Sequence, residues 1–376
     1  MTYDPDERRD TPLARKLKER IRRDGPIFVA EYMRACLHDP EHGYYRKQPA
    51  IGAGGDFITA PEISQIFGEL IGLWCAVVWQ QMGSPAKLNL VELGPGRGTL
   101  MRDALRAARI VPGFCQSLTV HLVESNETLR KAQHAALSGI DVPVKFHAEP
   151  IAALAAHSGE LDAPAMVIGN EFLDTLPIEQ LEFCDSVWRT RRIGCIDACL
   201  GFLGGTHSAS TLNLLSTETE PEEGHILEIC AHHGVYAEAL AATSKDAPLA
   251  ALFLDYGHMT TGFGDTLQGV AGQAFVSPFF APGETDISAH VDFEQFAEAC
   301  RGAGSAVDGP VTQSEFLGSL GIMERASRLM AANPAQAAAI EAGVARLMSP
   351  SGMGSRFKAI GIRSPSLFQL PGFAST

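Results

Sequence analysis

The chain has 376 residues, 45% of them hydrophobic, which is enough to bury one large core or a core with a second lobe and excludes a disordered chain. Its 30 Lys and Arg against 44 Asp and Glu give a formal charge of -14. That balance argues against a nucleic-acid partner, because phosphate neutralisation needs clustered cations in excess, and it favours a cationic substrate.

The N-terminus is charged and has no apolar segment ahead of a small-residue cleavage site, so no secretory signal is expected and the expected compartment is the cytoplasm. Residues 8–23 are rich in Arg and Lys with Leu13, Leu17 and Ile21 on one face, but Asp4, Asp6, Glu7, Asp10 and Glu19 spoil a transit helix and leave a surface helix. The segment Gly54-Gly55-Asp56-Phe57-Ile58-Thr59-Ala60-Pro61-Glu62-Ile63-Ser64-Gln65 offers many hydrogen-bonding groups after paired glycines. It reads either as a lid over a ligand or as a helix cap in which Thr59 precedes a Pro61-Glu62 start. Ile66, Phe67, Leu70, Ile71, Trp74, Val77 and Val78 then recur at helical spacing and predict a core helix. With Glu69 inside it, this run is too short to span a bilayer, and no membrane insertion is expected.

From Leu88 to Tyr256, apolar strands alternate with helical patterns, the signature of a parallel sheet covered on both faces. Strands are predicted at 88–93, 119–124, 142–147, 165–169 and 250–255. The first runs into Glu92-Leu93-Gly94-Pro95-Gly96-Arg97-Gly98-Thr99, after which Leu100, Met101, Leu105 and Ala108 return at helical spacing. Glycines at this turn permit positive φ and close approach of backbone amides, and the following helix presents its positive dipole end. A dinucleotide fingerprint G-x-G-x-x-G would place the third glycine one residue after Gly98, so Gly94, Gly96 and Gly98 fit S-adenosylmethionine better. Glu124, closing the next strand, occupies the place where a doubly wound fold grips ribose hydroxyls.

At the end of the fourth strand, Gly169-Asn170-Glu171-Phe172-Leu173-Asp174-Thr175-Leu176-Pro177 gathers acidic and amide groups across the mouth of the expected crevice. Asp174 as a turn cap and Glu171 as a solvated side chain is the plainer alternative. Leu181 to Cys184 and Val187 to Arg191 predict a hairpin turning at Asp185-Ser186, inside an insertion spanning 178–248. The Ala-rich stretch 326–347, interrupted at Asn333-Pro334, predicts two short helices. The eight cysteines include no CxxC pair and are read as reduced, mostly buried thiols without a metal; His232-His233 is read as surface, because adjacent side chains diverge.

Four motifs in order, Gly54 to Glu62, Glu92 to Thr99, Asn170 to Pro177 and Asp286-Ile287-Ser288-Ala289-His290-Val291-Asp292-Phe293, resemble the MidA-type methyltransferases, which include mitochondrial complex I assembly factors. The resemblance runs from about Ile27 to Ile362. It implies a class I, Rossmann-like doubly wound α/β sheet with an N-terminal helical region and an inserted α+β lobe. The implied division is 1–85 as N-terminal helical and lid region, 86–177 and 249–264 as cofactor core, 178–248 and 265–350 as substrate lobe, and 351–376 as a strand and tail returning to the core.

The same resemblance implies S-adenosylmethionine as cofactor and symmetric dimethylation of an arginine in a complex I core subunit as activity. The missing transit peptide suggests a bacterial relative in the cytoplasm, the mitochondrial matrix being the place of a eukaryotic mature form. In this frame the loop Gly94, Pro95, Gly96, Gly98 and Thr99 holds the methionine end, Glu92 its ammonium and Glu124 the ribose. Glu149 approaches the adenine, while Asn170, Thr59, Ser64 and Gln65 border the cofactor. Glu171 and Asp174 orient the guanidinium, and Asp56 or His290 takes the departing proton or fixes a loop. A non-catalytic assembly chaperone with a retained cofactor fold, a small-molecule methyltransferase and a dinucleotide oxidoreductase are the alternatives; the glycine spacing weighs against the last.

Overall fold

The computed structural model describes residues 7–46, 59–150, 154, 163–205, 220–245 and 247–373. Its central sheet contains strands β1 (Leu88–Leu93), β2 (Leu118–Val123), β3 (Val144–His147), β4 (Ala165–Asn170), β5 (Leu249–His258), β6 (Ala306–Thr312) and β7 (Phe357–Arg363) in the order β3-β2-β1-β4-β5-β7-β6. Strands β3 to β5 along this path run parallel, and β7 is antiparallel to both of its neighbours. All five strands predicted from the sequence are present, the first with its predicted ends and the others with ends shifted by at most three residues.

Both faces of the sheet are buried, which is why its strands read as continuous apolar runs. Alternation divides them between two cores. Val91, Leu93, Val167, Ala251 and Phe253 face a core shared with the helices Pro12–Asp24, Val29–His38, His232–Thr243 and Phe293–Gly302. Leu88, Leu90, Met166, Ile168, Leu252 and Leu254 face a second core, shared with helices Gln65–Gln81 and Thr99–Ala108 and with the helices at 313–348. The described residues of 178–248 that join the first core, among them Ile178, Ile193, Leu200 and Tyr236, and the segment 313–348 therefore lie against opposite faces of the sheet.

Helix Gln65–Gln81 approaches helix Thr99–Ala108 backbone to backbone. A Cβ at Gly72 would fall 2.2 Å from the Ala104 carbonyl oxygen, and one at Gly68 would fall 2.8 Å from Asp103 Cβ. This contact sets the second helix, and the loop before it, against the segment beginning at Thr59. One expectation, Val77 on the core stripe, changes here. Val77 is 44% exposed and points away from the core, whereas Glu69 is 3% exposed and accepts from Gln65 Nε2 (3.2 Å), Arg106 (3.0 Å) and Arg325 (2.7 Å).

The hairpin forms as expected, with Cys184 opposite Val187 and positive φ at Asp185 and Ser186, the two central residues. Helices Ile322–Ala332 and Ala337–Met348 flank a single 3-10 turn at Pro334–Gln336. Of the eight free cysteines, Cys36, Cys75, Cys230 and Cys300 are buried and Cys199 is exposed; among the described residues no cluster suits a metal. His233 is buried rather than on the surface, because successive helical residues diverge by about 100° and its ring turns inward onto Phe296, 5.3 Å away.

Candidate active site

The strand order reverses between β1 and β4, so their carboxyl ends open a crevice at a topological switch point. The loop after β1 lies there with φ of 64° at Gly94, 51° at Gly96 and 79° at Gly98, values that a side chain would strain. Gly98 is the N-cap of the Thr99–Ala108 helix and offers no side-chain cap bond, so the positive end of this helix lies at the loop after β1. Gln133, fully buried, donates through Nε2 to the Gly96 carbonyl at 2.7 Å and fixes the loop from behind.

Glu92 ends β1 beneath this loop, 3% exposed, and its Oε2 has no hydrogen-bond partner among the described residues. Burial pushes its carboxyl up to about 8. A buried acid with an orphaned oxygen fits a cationic ligand group, and the ammonium of a methionine moiety is one. Glu124, beyond β2, is likewise raised by burial to about 7, and its Oε1 accepts the Asn126 N–H at 2.7 Å. Asn126 in turn caps the helix Glu127–Ala136.

Across the crevice, β4 delivers Asn170, Glu171 and Asp174 together. Glu171 holds φ of 52°, unusual for a residue other than glycine, and sits where the chain turns sharply out of the strand. Its Oε1 accepts from the Ala60 N–H (3.2 Å) and from Asn170 Nδ2 (3.1 Å). Burial, and then the charge of Asp174, raise Glu171 to about 7. Asp174 is 7% exposed and raised by burial to about 6; Tyr256 donates to its Oδ2 at 2.6 Å, and its Oδ1 has no partner among the described residues. Glu171 is thus hydrogen-bonded rather than solvated, and Asp174 is tied to Tyr256.

The turn that carries these acids hangs on a residue the sequence reading missed. Asp255, near the end of β5 and 1% exposed, accepts the N–H groups of Phe172 (3.0 Å), Leu173 (2.8 Å) and Asp174 (3.2 Å) on Oδ2 and that of Tyr256 (3.0 Å) on Oδ1. Burial and the charges of Asp174 and Glu171 push its carboxyl well up, while the N–H groups oppose that shift. A single acid closing the run Leu249 to Leu254 was the available signal. Tyr256 and Ser288, joined by a short hydrogen bond, were also missed, as was Tyr45, whose hydroxyl reaches Asp286 at 3.3 Å.

The remaining candidates separate. Thr59 is the N-cap residue of the short helix Ala60–Ile63 without a side-chain cap bond; Ser64 caps the next helix through the Ile66 N–H, and Gln65 is turned to Glu69. Thr99 donates to Glu62, tying the glycine loop to this segment. Glu149 is exposed past β3, with its charge felt at Tyr236. His290 is exposed, its ring edge-on to Tyr256 at 5.6 Å, and its imidazole is lowered by burial and then by His258. Asp56 lies outside the described residues.

The protein arginine methyltransferase NDUFAF7 of Danio rerio, labelled mitochondrial, is 37% identical over 366 residues, covering 92% of this chain and 85% of its own. The human protein of the same name is 33% identical, covering 94% and 84%. A crystal structure from Burkholderia thailandensis, described as a likely methyl transferase bound to S-adenosyl-homocysteine, superposes with a TM-score of 0.84 at 26% identity, covering 96% of this chain and 94% of that one. A family model described as putative S-adenosyl-L-methionine-dependent methyltransferase matches residues 70–311, and with relatives of this identity over most of its length the chain belongs to that methyltransferase family, with a Rossmann-like fold and S-adenosylmethionine as its cofactor.

Proposed function

We propose that this methyltransferase acts on an arginine side chain of a protein, and that the observation carrying this reading is the pair Glu171 and Asp174, both pushed up toward neutrality by burial at the carboxyl end of β4. The names of the relatives support it, since those proteins are called protein arginine methyltransferases. From the MidA-type resemblance we further propose symmetric dimethylation of a respiratory complex I core subunit. We assign recognition of that protein to the segments 178–248 and 265–312, the helices at 313–348 packing on the other face of the sheet. We place the activity in a bacterial cytoplasm or, for a eukaryotic form, in the mitochondrial matrix, the label its relatives carry. Among the described residues no helix is long and apolar enough to cross a membrane.

The cofactor supplies an electrophilic methyl group on a positively charged sulfur. The loop Gly94 to Gly98 holds its carboxylate end through the Gly96 and Arg97 amides, since the Gly94 and Gly98 amides donate to the Val123 and Pro95 carbonyls; Glu92 holds its ammonium and Glu124 its ribose, with Glu149, Asn170, Thr59, Ser64 and Gln65 at the borders of that site. Glu171 and Asp174 pair with the guanidinium and draw its positive charge to one side, which leaves the opposite nitrogen electron-rich toward the crevice. Their near-neutral proton affinities suit them to accept the proton that this nitrogen gives up as its bond to carbon forms. His290, beside Tyr256, stands next in line to pass that proton to solvent, and Asp56 is the other candidate. The rate gain expected is chiefly that of positioning and fixed charge.

The test is methyl-labelled S-adenosylmethionine with lysate from cells lacking the protein, comparing wild type with Glu171→Gln. Label on arginine of a complex I subunit, lost in the variant, is the expected result. Cofactor binding without any labelled protein would sink the arginine reading and favour a chaperone or small-molecule enzyme.

A further inference from the structure

Arg356 and Lys358, at the start of β7, have no part in the reaction described above, yet they lie one residue away from its acids. In the pairing of β5 with β7, Tyr256 stands opposite Phe357 and Asp255 opposite Lys358, and the Gly257 N–H donates to the Arg356 carbonyl at 3.2 Å. The same end of β5 also pairs with Val291–Asp292, which sets His258 beside Asp292. Tyr256, whose hydroxyl donates to Asp174, has its ring edge-on to both His290 (5.6 Å) and Phe357 (5.5 Å). Burial first, and then the positive charges of His258, Lys358 and Arg356, lower the His290 imidazole, so all three cations come near that ring.

The acids in this neighbourhood are committed elsewhere. Asp292 pairs with His258 Nε2 (3.3 Å) and accepts from the Gln295 N–H (3.0 Å) and Thr261 (3.1 Å), and Glu294 accepts the Thr261 N–H at 2.6 Å. Lys358 is half-buried and donates to main-chain oxygens of Ser355 (2.6 Å) and Arg356 (3.1 Å), while Arg356 is exposed. Neither forms an ion pair among the described residues. Burial lowers the Lys358 ammonium, and no neighbouring carboxylate raises it back. In a chain of formal charge -14, two adjacent cations without a carboxylate, set beside a site that takes a third cation, repel that ligand unless the ligand brings its own anion.

We propose that Arg356 and Lys358 form a subsite for a carboxylate of the substrate protein, an Asp or Glu side chain flanking the target arginine, so that the enzyme selects arginines with an acidic neighbour. The inference rests on the arginine reading and adds a specificity determinant to it. A guanidinium offers a fork of N–H donors that fits a carboxylate, and a partly desolvated ammonium gains from the same partner. With Glu171 and Asp174 taking the arginine and these two cations taking the acid, one substrate segment meets complementary charge at both places. A segment with a neutral or basic neighbour leaves Arg356 and Lys358 unpaired or repelled. Because exposed ion pairs are weak, the expected preference is about fivefold.

The test uses full-length protein saturated with S-adenosylhomocysteine and short Gly-Ser peptides with a central arginine. One Glu is placed at each flanking position in turn, every peptide is matched by its Gln counterpart, and affinity is measured by isothermal titration at low ionic strength. At one spacing or more, the Glu peptide is expected to bind about fivefold more tightly than its Gln counterpart, and the preference to fade in high salt. It is expected to weaken in Arg356→Gln and to vanish in Arg356→Gln/Lys358→Gln, with S-adenosylhomocysteine affinity unaltered in both. Equal binding of Glu and Gln peptides at every spacing, or a preference that survives the double substitution, overturns the subsite. Citrulline in place of the arginine separates the two readings. Peptides that bind through their arginine without preferring Glu remove the subsite alone, whereas binding that ignores the arginine removes the arginine reading and the subsite with it.

Discussion

The backbone N–H of Ala60 donates to Glu171 Oε1 at 3.2 Å, while two residues further on Glu62 receives the Thr99 hydroxyl. One short helix, Ala60–Ile63, therefore touches both the turn that carries the acids and the loop that follows β1. Ala60→Pro removes that N–H at a position where proline is tolerated, one residue before an existing proline. Because the N–H stabilises the charged form of Glu171, its loss raises the Glu171 proton affinity further. The acid limb of the kcat/KM profile is expected to move to higher pH, with about a tenfold loss at neutral pH and cofactor Kd unchanged. A limb that stays in place would show that this contact does not tune Glu171.

Tyr256→Phe deletes the donor to Asp174 and leaves a second carboxylate oxygen without a partner. We expect kcat/KM to fall by about tenfold, equivalent to roughly 1.4 kcal/mol, and S-adenosylhomocysteine affinity by isothermal titration to stay the same. Equal losses in both measurements would mean that the hydroxyl supports the crevice as a whole.

Asp255→Ala leaves three buried N–H groups and the half-buried one of Tyr256 without their acceptor. Urea unfolding is expected to show a loss of about 2–4 kcal/mol, and activity to vanish with it, since the turn loses its anchor. A variant of native stability with intact activity would contradict the anchoring role.

Alanine at two glycines separates two causes. Gly98→Ala strains a residue with φ of 79° and brings its Cβ 3.3 Å from Gln133, at a cost of about 1–2 kcal/mol that falls on the cofactor loop, so cofactor affinity drops about tenfold. Gly72→Ala drives a methyl into the Ala104 carbonyl at 2.2 Å, so the helix pair must separate and the melting temperature falls. The opposite pattern of effects would reverse these assignments.

Stability should fall as pH rises. Glu92 at about 8, Glu124 and Glu171 at about 7 and Asp174 at about 6 all lie above their ordinary values, so the folded state binds more protons than the unfolded one across that window. The slope of unfolding free energy with pH is then negative from about 4.5 to 8, by roughly 1.4 kcal/mol per fully coupled group and pH unit. A ligand ammonium at Glu92 favours its charged form, so the thermal shift caused by S-adenosylhomocysteine is expected to grow between pH 6 and pH 8 in wild type and to flatten in Glu92→Gln. Flat, equal shifts in both proteins would remove Glu92 from the cofactor site.

The parallel sheet was legible because buried strands write themselves as continuous apolar runs, and the crevice because glycines at 94, 96 and 98 have a local reason to exist. Glu171 and Asp174 stood out as acids beside an apolar strand. Asp255 did not, although its carboxylate organises both, because its partners are backbone N–H groups about 80 residues earlier in the chain, and a backbone donor leaves no mark in a sequence. His233 was misread for a related reason: periodicity says that one member of a doublet turns inward, but not which one, nor that Phe296 waits there. Local rules thus determined the strands and the glycine turn after β1. The burial that shifts Glu92, Glu171 and Asp174, and the pairing that leaves some of their atoms unsatisfied, were decided by tertiary structure alone, because desolvation and hydrogen-bond satisfaction depend on which distant segments close over a residue.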